Sequence, residues 1–510
     1  MTLEEEFLYY YVAYDLVVHH KFDIIRIGRA SKELWLEKKV ANTSHVVRLS
    51  QKGFDWNNQM IQDLEQVQQE IKRLKKTLTG KSITFHSVYI SAFPPVNGSN
   101  TLSDPIKVKD MKSIQIQVYF SGNAYRSELK RLYQDLTIPY QEPIYPTSEV
   151  EITKETAHLK EKLIEIHNKR TREIQSLFEN GKPIFTYLFL LVNVAVFILL
   201  EINGGSMSTA TLIKFGAKYN PAILEGEWWR IVSSMFLHIG YLHIAMNMLA
   251  LFYLGNAVER IYGSARFFII YFLAGIIGGL ASFALSPQLA AGASGALFGL
   301  FGALLFFGVL YKKVFFQTMG KNLLFIIGLN IVLGLSLPQI DNSAHIGGLI
   351  GGFIAASIVF LPKKKKRSIQ LVMLLVYVAA ASSLIVYGTT QTSPELQLQV
   401  VQQLIKDGDY KQTIDVINEQ VENSESFKAE FLFYRSFAFI KLNKQESAIS
   451  DLEQTVQLKP EFAEAQYNLA LLYFEKSNLS QARDAAEKAY NLQPDNEDFK
   501  TLYNQLEENG

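Results

Sequence analysis

The sequence predicts a multi-pass α-helical membrane protein, with a soluble α/β domain ahead of the membrane helices and an α-helical repeat array behind them. Three observations predict it. Residues 184 to 388 are dominated by apolar, nearly charge-free runs long enough to cross a bilayer. The first 180 residues mix polar and apolar segments with strand-like and helix-like patterning. From about residue 393 the chain turns polar and repeats with a period of 34. Composition agrees, because 48% hydrophobic content beside 19% charged residues leans towards a membrane protein with soluble parts. The 510 residues leave room for three domains, read as 1–180, 181–390 and 391–510.

Strand-like runs cover 22–27, 83–90 and 114–120, and helix-like runs cover 56–78 and 151–178. Pro139, Pro143 and Pro146 mark a loop before the last of these. That final run is heavily charged and leads straight to the first apolar segment, so it reads as a connector or short coiled-coil arm. Glu4, Glu5, His19 and His20 are residue types that bind metals, but adjacent histidines near a terminus are usually solvated. No phosphate-binding glycine loop is present. A regulatory or substrate-recruiting module is the expectation here. The acidic start lacks the basic-then-apolar order of a signal peptide, which keeps the N-terminus in the cytoplasm.

Seven spans can be counted: 184–201, about 241–257, 266–285, 292–311, 323–338, 343–361 and 369–388. The fifth is short for a bilayer. Basic residues cluster before the first span (Lys169, Arg170, Arg172, Lys182) and after the second (Arg260, Arg266), the fourth (Lys312, Lys313, Lys321) and the sixth (363–367). This alternation satisfies the positive-inside rule only if the fifth span is kept, and the lysine run after the sixth serves as a topology anchor. Spans two, four and six then all run from outside to inside.

Two polar residues stand out against this background. Ser294 lies in the run Gly292-Ala293-Ser294-Gly295 at the start of the fourth span, and His345 lies in the first turn or two of the sixth. Ionisable groups in such places are functional candidates, and a hydroxyl becomes a nucleophile when a base such as histidine takes its proton. Parallel spans put both residues roughly 5 to 10 Å below the outer boundary, where they can meet. With no cysteine in the chain, disulfides, thiolate metal sites and a cysteine nucleophile are excluded. His243 and Asn247 stand one turn apart at the start of the second span, and both can donate to a developing oxyanion. Gly292 and Gly295 remove bulk beside the hydroxyl, so that a helix or a substrate backbone can approach. Taken singly, each of these features has a packing explanation; their occurrence at matching depth favours chemistry.

At these residues the chain resembles the rhomboid family of intramembrane serine proteases. The likeness rests on GASG at 292–295, AHIGGLIGG at 344–352, HIAMN at 243–247 and EWWR at 227–230, in the family's order, and covers about 200 residues. It implies a six-helix core, a Ser294/His345 dyad and an oxyanion site using His243 and Asn247. It also implies cleavage of transmembrane substrates near the outer membrane surface, without metal, ATP or other cofactor. His238 matches a further family histidine near the substrate entrance. Phe298 stands where many rhomboids carry a tyrosine that packs on the imidazole, so the aromatic face is kept and the hydroxyl is lost. The alternative is an inactive rhomboid-like scaffold binding membrane helices and protein partners, and intact Ser294 and His345 argue against it. A transporter is disfavoured by the lack of an acidic ion ligand in mid-membrane.

The seventh span carries the tail outside. Ala429 aligns with Ala463, Ala448 with Ala482 and Pro460 with Pro494, while Thr413 takes the place of Ala448 in a weaker earlier copy. This is the tetratricopeptide (TPR) signature. About two and a half helix pairs are expected, packing small residues such as Ala470 and Ala482 against Tyr434, Tyr467 and Tyr473. A peptide groove is the functional alternative for those aromatics. The layout resembles the TPR-tailed rhomboids of Bacillus-type Gram-positive bacteria, which implies a plasma-membrane address. Partners are expected to be transmembrane substrates, the lipid bilayer and proteins held by the two soluble domains; a net charge of +1 gives no reason to expect nucleic acid.

Overall fold

The computed structural model describes residues 2–508 apart from 29–31, 76–81, 92–94, 97–104, 108–112, 121–124, 338–339, 363, 365, 391–393 and 422–426. Residues 76–78 of the helix-like run, two lysines of the 363–367 cluster, the end of the fifth expected span and Gly510 therefore lie outside the described residues. Two compact units are present: residues 1–182 with 305–329, and residues 183–304 with 330–510.

The first unit is built on a sheet of β1 (Asp23–Gly28), β2 (Glu33–Val40), β3 (Thr43–Ser50), β4 (Ser82–Tyr89), β5 (Ile106–Lys107) and β6 (Ile114–Phe120), in the order β1-β2-β3-β4-β6-β5. The first three strands form an antiparallel meander, and β3, β4 and β6 are parallel neighbours. A parallel step needs a crossover, and α2 (Asn57–Leu74) supplies the one from β3 to β4. Its Met60, Leu64, Val67 and Ile71 recur at helical spacing and bury one stripe against Trp35, Val46 and Phe85. On the other face, α1 (Leu3–Tyr14) and α3 (Tyr125–Asp135) cover Leu36, Val47 and Val88 with Leu8, Val12 and Leu132.

The meander strands β2 and β3 were not among the strand-like runs, because charges interrupt their patterning. Arg48 is 1% exposed and pairs with Glu33 at 2.6 Å and Asp63 at 2.8 Å, and Lys52 contacts the same two carboxylates. The expected connector is α4 (Glu149–Ser176), started by Ser148 as N-cap. Its first half is no free arm, since Ile152 and Leu159 pack with Phe7, and Leu163 joins the core beneath α1. Of the residues weighed for metal binding, Glu5 closes a capping box with Thr2 at the head of α1. His19 and His20 both reach Asp15, at 2.9 and 3.3 Å.

The membrane helices are α5 (Ile184–Ile202), α9 (Gly240–Tyr262), α10 (Ser264–Leu285), α11 (Ser294–Leu310), α13 (Gly320–Ser336), α14 (Asn342–Val359) and α15 (Arg367–Thr389). The loop after α5 carries the short helices α6 (Thr209–Lys214), α7 (Asn220–Leu224) and α8 (Arg230–Ser233), and α12 (Lys312–Thr318) precedes α13. Among the described residues, five helices are long and apolar enough to cross a membrane: α5, α9, α10, α14 and α15. The count of seven is thus not reproduced. The pair α12 and α13 is bent by 73° at its break, and α11 has only 17 residues. At 1.5 Å per residue α11 is about 25 Å long, short of the roughly 30 Å hydrocarbon core. The apolar run 292–311 overstates the helix because its first residues, Gly292 and the turn at Ala293, lie ahead of the first helical residue, Ser294.

Two buried polar contacts set helix ends, the second of them at the site. The Glu259 carboxylate, 0% exposed, accepts from the first N–H groups of α5 at Phe185 (3.0 Å) and Thr186 (2.8 Å). Asp341 N-caps α14 by accepting from the Ala344 N–H at 3.0 Å, and its other oxygen accepts from Ser282 Oγ on α10. Helix α15 is tied to the core by Tyr377 Oη donating to Leu273 O and by Gln370 Nε2 donating to Ile358 O.

The tail contains α16 (Pro394–Asp407), α17 (Tyr410–Gln420), α18 (Lys428–Lys441), α19 (Gln445–Leu458), α20 (Ala463–Glu475), α21 (Leu479–Leu492) and α22 (Glu497–Glu508). This is three helix pairs and a terminal helix, more than the repeat count suggested, because α16 departs from the repeat in residue identity while keeping its place in the stack. The aligned alanines 429, 448, 463 and 482 are buried, as is Thr413. Tyr473 lies in the core, whereas Tyr434 and Tyr467 are only partly covered.

Candidate active site

Ser294 is the first residue of α11, reached through Gly292 and the turn at Ala293, just after the isolated bridge between Ala290 and Lys218. Gly292 has φ +152°, and a Cβ on it would fall 2.8 Å from the His243 ring. A side chain at that position would therefore collide with His243, which explains the glycine beside the hydroxyl. The Gly292 N–H donates to Ser234 O at 2.9 Å, pinning the approach to the loop before α9.

His345 sits in the first turn of α14, and its Nε2 lies 2.8 Å from Ser294 Oγ. The ring stacks on Phe298, one turn along α11, with centroids 4.1 Å apart and planes 11° from parallel. Its Nδ1 has no hydrogen-bond partner among the described residues. Among the described residues no carboxylate hydrogen-bonds this imidazole, which stacks on the Phe298 ring between close-packed helices. That packing is backbone against backbone. A Cβ on Gly348 would lie 1.9 Å from the Gly295 carbonyl oxygen, and one on Gly352 would lie 2.0 Å from that of Gly299. Gly295 itself packs within van der Waals reach of the Ala344 carbonyl.

The remaining predicted residues divide. His243 lies beside Gly292, its Nδ1 accepting from the Ile239 N–H at 3.5 Å. His238 is fully buried, and its Nε2 accepts from the Ala293 N–H at 3.5 Å, which places it behind the turn before Ser294, edge-on to His243 at 5.4 Å. Asn247 is buried, but its Nδ2 donates to the His243 carbonyl at 3.0 Å, so the amide is spent on its own helix. The first N–H groups of α11 lack intrahelical acceptors and carry the positive end of its dipole, a ready place for negative charge. Chemically, the arrangement can pass a proton from a hydroxyl to an imidazole beside an anion-stabilising helix start.

Several residues that hold this geometry escaped the sequence reading. Lys218 and Asn220, in the loop after α5, bind the end of α10 and the segment leading to Ser294. Arg230 of the EWWR motif pairs with Glu227 and donates to the carbonyls of Ile213 and Ala217, closing that loop on itself. A signal existed for Asp341 alone, since an Asp just ahead of an apolar helical run is an N-cap pattern.

Comparison with known proteins shows the family. A rhomboid-domain profile matches residues 225–362, and a TPR-repeat profile matches residues 438–477. Rhomboid protease GluP of Bacillus subtilis is 36% identical over 99% of both chains. The putative rhomboid protease YdcA of the same organism is 34% identical over 29% of this chain and 75% of its own. RHOMBOID-like protein 5 of Arabidopsis thaliana is 38% identical over 30% of this chain and 51% of its own. Similarity that runs the full length of a rhomboid protease, soluble flanks included, makes this chain a member of the rhomboid family of intramembrane serine proteases, with a TPR tail.

Proposed function

We propose that the protein is an endopeptidase that cleaves transmembrane helices near the outer membrane face through a Ser294/His345 dyad and an acyl-enzyme. The observation that carries this reading is the 2.8 Å contact between His345 Nε2 and Ser294 Oγ at the head of two close-packed helices. His345 takes the Oγ proton as Ser294 attacks a substrate carbonyl. The tetrahedral oxyanion is met by the N–H groups at the start of α11, with His243 and, after its side chain turns from the His243 carbonyl, Asn247. Collapse breaks the C–N bond, His345 returns the proton to the leaving amine, and water then cleaves the ester with His345 again as base. The Phe298 stack supports a two-residue mechanism, because it fixes the imidazole plane without a carboxylate. His238 keeps the turn before Ser294 in place beside the substrate entrance. Substrates are helices that unwind readily, since a fully hydrogen-bonded helix hides its carbonyls.

In this reading the protein lies in the plasma membrane with residues 1–180 in the cytoplasm as a regulatory or recruiting domain. Residues 181–390 form the protease, and residues 391–510 form an outer TPR domain that binds protein partners. The basic clusters flanking the spans support that orientation. A fluorophosphonate probe tests the chemistry: it is expected to label Ser294, and His345→Ala is expected to slow labelling by about 100-fold or more. Labelling at the wild-type rate in His345→Ala would overturn the dyad.

A further inference from the structure

Lys218 lies in the loop between α5 and α9 and is 1% exposed. Its Nζ donates to Asn220 Oδ1 at 3.0 Å, to the carbonyls of Ser286 at 2.8 Å and Gln288 at 2.6 Å, and more weakly to that of Ser282 at 3.4 Å. Three short bonds use all three ammonium protons. Burying a cation is costly unless oriented partners replace water. Here they are Asn220 Oδ1 and the carbonyls of Ser286, the C-cap of α10, and Gln288, at the negative end of the α10 dipole; Ser282 O, which already accepts from the Ser286 N–H, is the weaker fourth. Asn220 reinforces the grip, its Nδ2 donating to Phe283 O and Ser286 O. The main chain of Lys218 holds the same segment, for its N–H donates to Ala290 O at 2.8 Å and its carbonyl accepts from the Ala290 N–H at 3.0 Å. One residue therefore fastens 286–290 by both side chain and backbone. Two residues later comes Gly292, and two after that Ser294.

We propose that Lys218 is a positioning residue for peptide cleavage: its buried ammonium ties down the strap 286–290 and thereby fixes Ser294 Oγ relative to His345. The inference rests on Ser294 being the nucleophile. An apolar side chain would satisfy the burial at lower cost, but it could not draw three oxygens from the end of α10 and the strap onto one point.

The geometry also gives the strap a sensitivity to pH. Burial pushes the Lys218 ammonium down to about 8, and Asp341 at the head of α14 pulls the other way. The other groups that receive its protons, Asn220 and three main-chain carbonyls, do not titrate. Tyr387 and Glu395 line a cavity with Asn220 and Ser286, and neither acts on the ammonium. Loss of the proton leaves two donors for three short acceptors, so the strap loosens as pH rises through about 8. The stability term has the opposite sign. Between about 8 and the unfolded value near 10.4, the unfolded chain binds the extra proton, so this group favours the fold more as pH rises. A residue that only stabilises the fold would not lower the cleavage rate over that window.

The experiment compares full-length wild type, Ser294→Ala, Lys218→Met and Lys218→Arg in proteoliposomes, with kcat and KM for a single-span substrate followed from about pH 6.5 to 9.5. Lys218→Met is expected to lose about tenfold or more in kcat with KM changed less than about twofold. Lys218→Arg, a cation that does not titrate, should recover part of the rate and lose the alkaline fall. Wild type should slow through about pH 8 while its thermal midpoint does not drop. Wild-type kcat in Lys218→Met would overturn the proposal, as would a wild-type rate that stays flat to the end of the range. If Lys218→Met does not fold, the wild-type profile decides alone. Cleavage that persists in Ser294→Ala would instead remove the nucleophile reading on which the proposal rests.

Discussion

The membrane core and the TPR tail both pack helix on helix through small residues, yet they use them in opposite ways. Along α11 and α14, glycines at 348 and 352 bring main chains into contact and leave no room for a methyl group, and Gly299 leaves none against Ala274 of α10. Between α20 and α21, alanines at 482, 485 and 486 fill the seam with methyl groups against Ala465, Leu469 and Leu472. The solvent explains the difference. In lipid, apolar burial drives helices together very little, so close backbone approach and van der Waals contact must do so. In water, each buried methyl contributes directly. The core thereby gains a fixed separation between two helix starts, the quantity that sets the 2.8 Å contact between His345 Nε2 and Ser294 Oγ. The tail gains stability.

The sharpest way to break the contrast is Gly348→Ala. Its Cβ would meet a backbone oxygen that no side-chain rotation can move, so α14 must shift from α11. Cleavage should fall about 100-fold or more, with overpacking costing about 1 to 3 kcal/mol, read by substrate turnover and thermal unfolding. Gly292→Ala should act more locally. The added methyl strikes the His243 ring and sits at a φ unfavourable to side chains, so turnover should drop at least about tenfold with a smaller loss of thermal stability. At the other extreme, Ala482→Gly in the tail removes a buried methyl and helix propensity. It should lower the tail's unfolding free energy by about 1 to 2 kcal/mol while leaving cleavage of a substrate that does not need the repeats unchanged. If Gly348→Ala and Ala482→Gly had similar effects on turnover, the contrast between the two packings would fail.

The parts legible in sequence are those whose physics is local. Ser294 and His345 are conspicuous because a charge-free run leaves few polar residues to explain, and the alanines of the tail are visible because repetition exposes their spacing. Strands β2 and β3 are hidden by Glu33, Glu37 and Arg48, whose charges read as solvated until the pairing of Arg48 with Glu33 and Asp63 is seen. Lys218 is hidden for the same reason, since a lone lysine in a loop between spans is usually at a surface. Hydropathy also carries no information about where a helix begins or bends. It therefore extended α11 back over the approach to Ser294, and the 73° break between α12 and α13 falls in the stretch between the fourth and fifth expected spans. The bond from the Asn247 amide to the His243 carbonyl depends on a rotamer that spacing does not encode.

The central claim is that Ser294, held against His345, cuts transmembrane helices. It is tested most directly by incubating a panel of single-span substrates with wild type and Ser294→Ala in proteoliposomes and identifying the products by mass spectrometry. The account predicts fragments cut near the outer boundary of the substrate helix by wild type and none by the variant. Identical fragments from both proteins would contradict it.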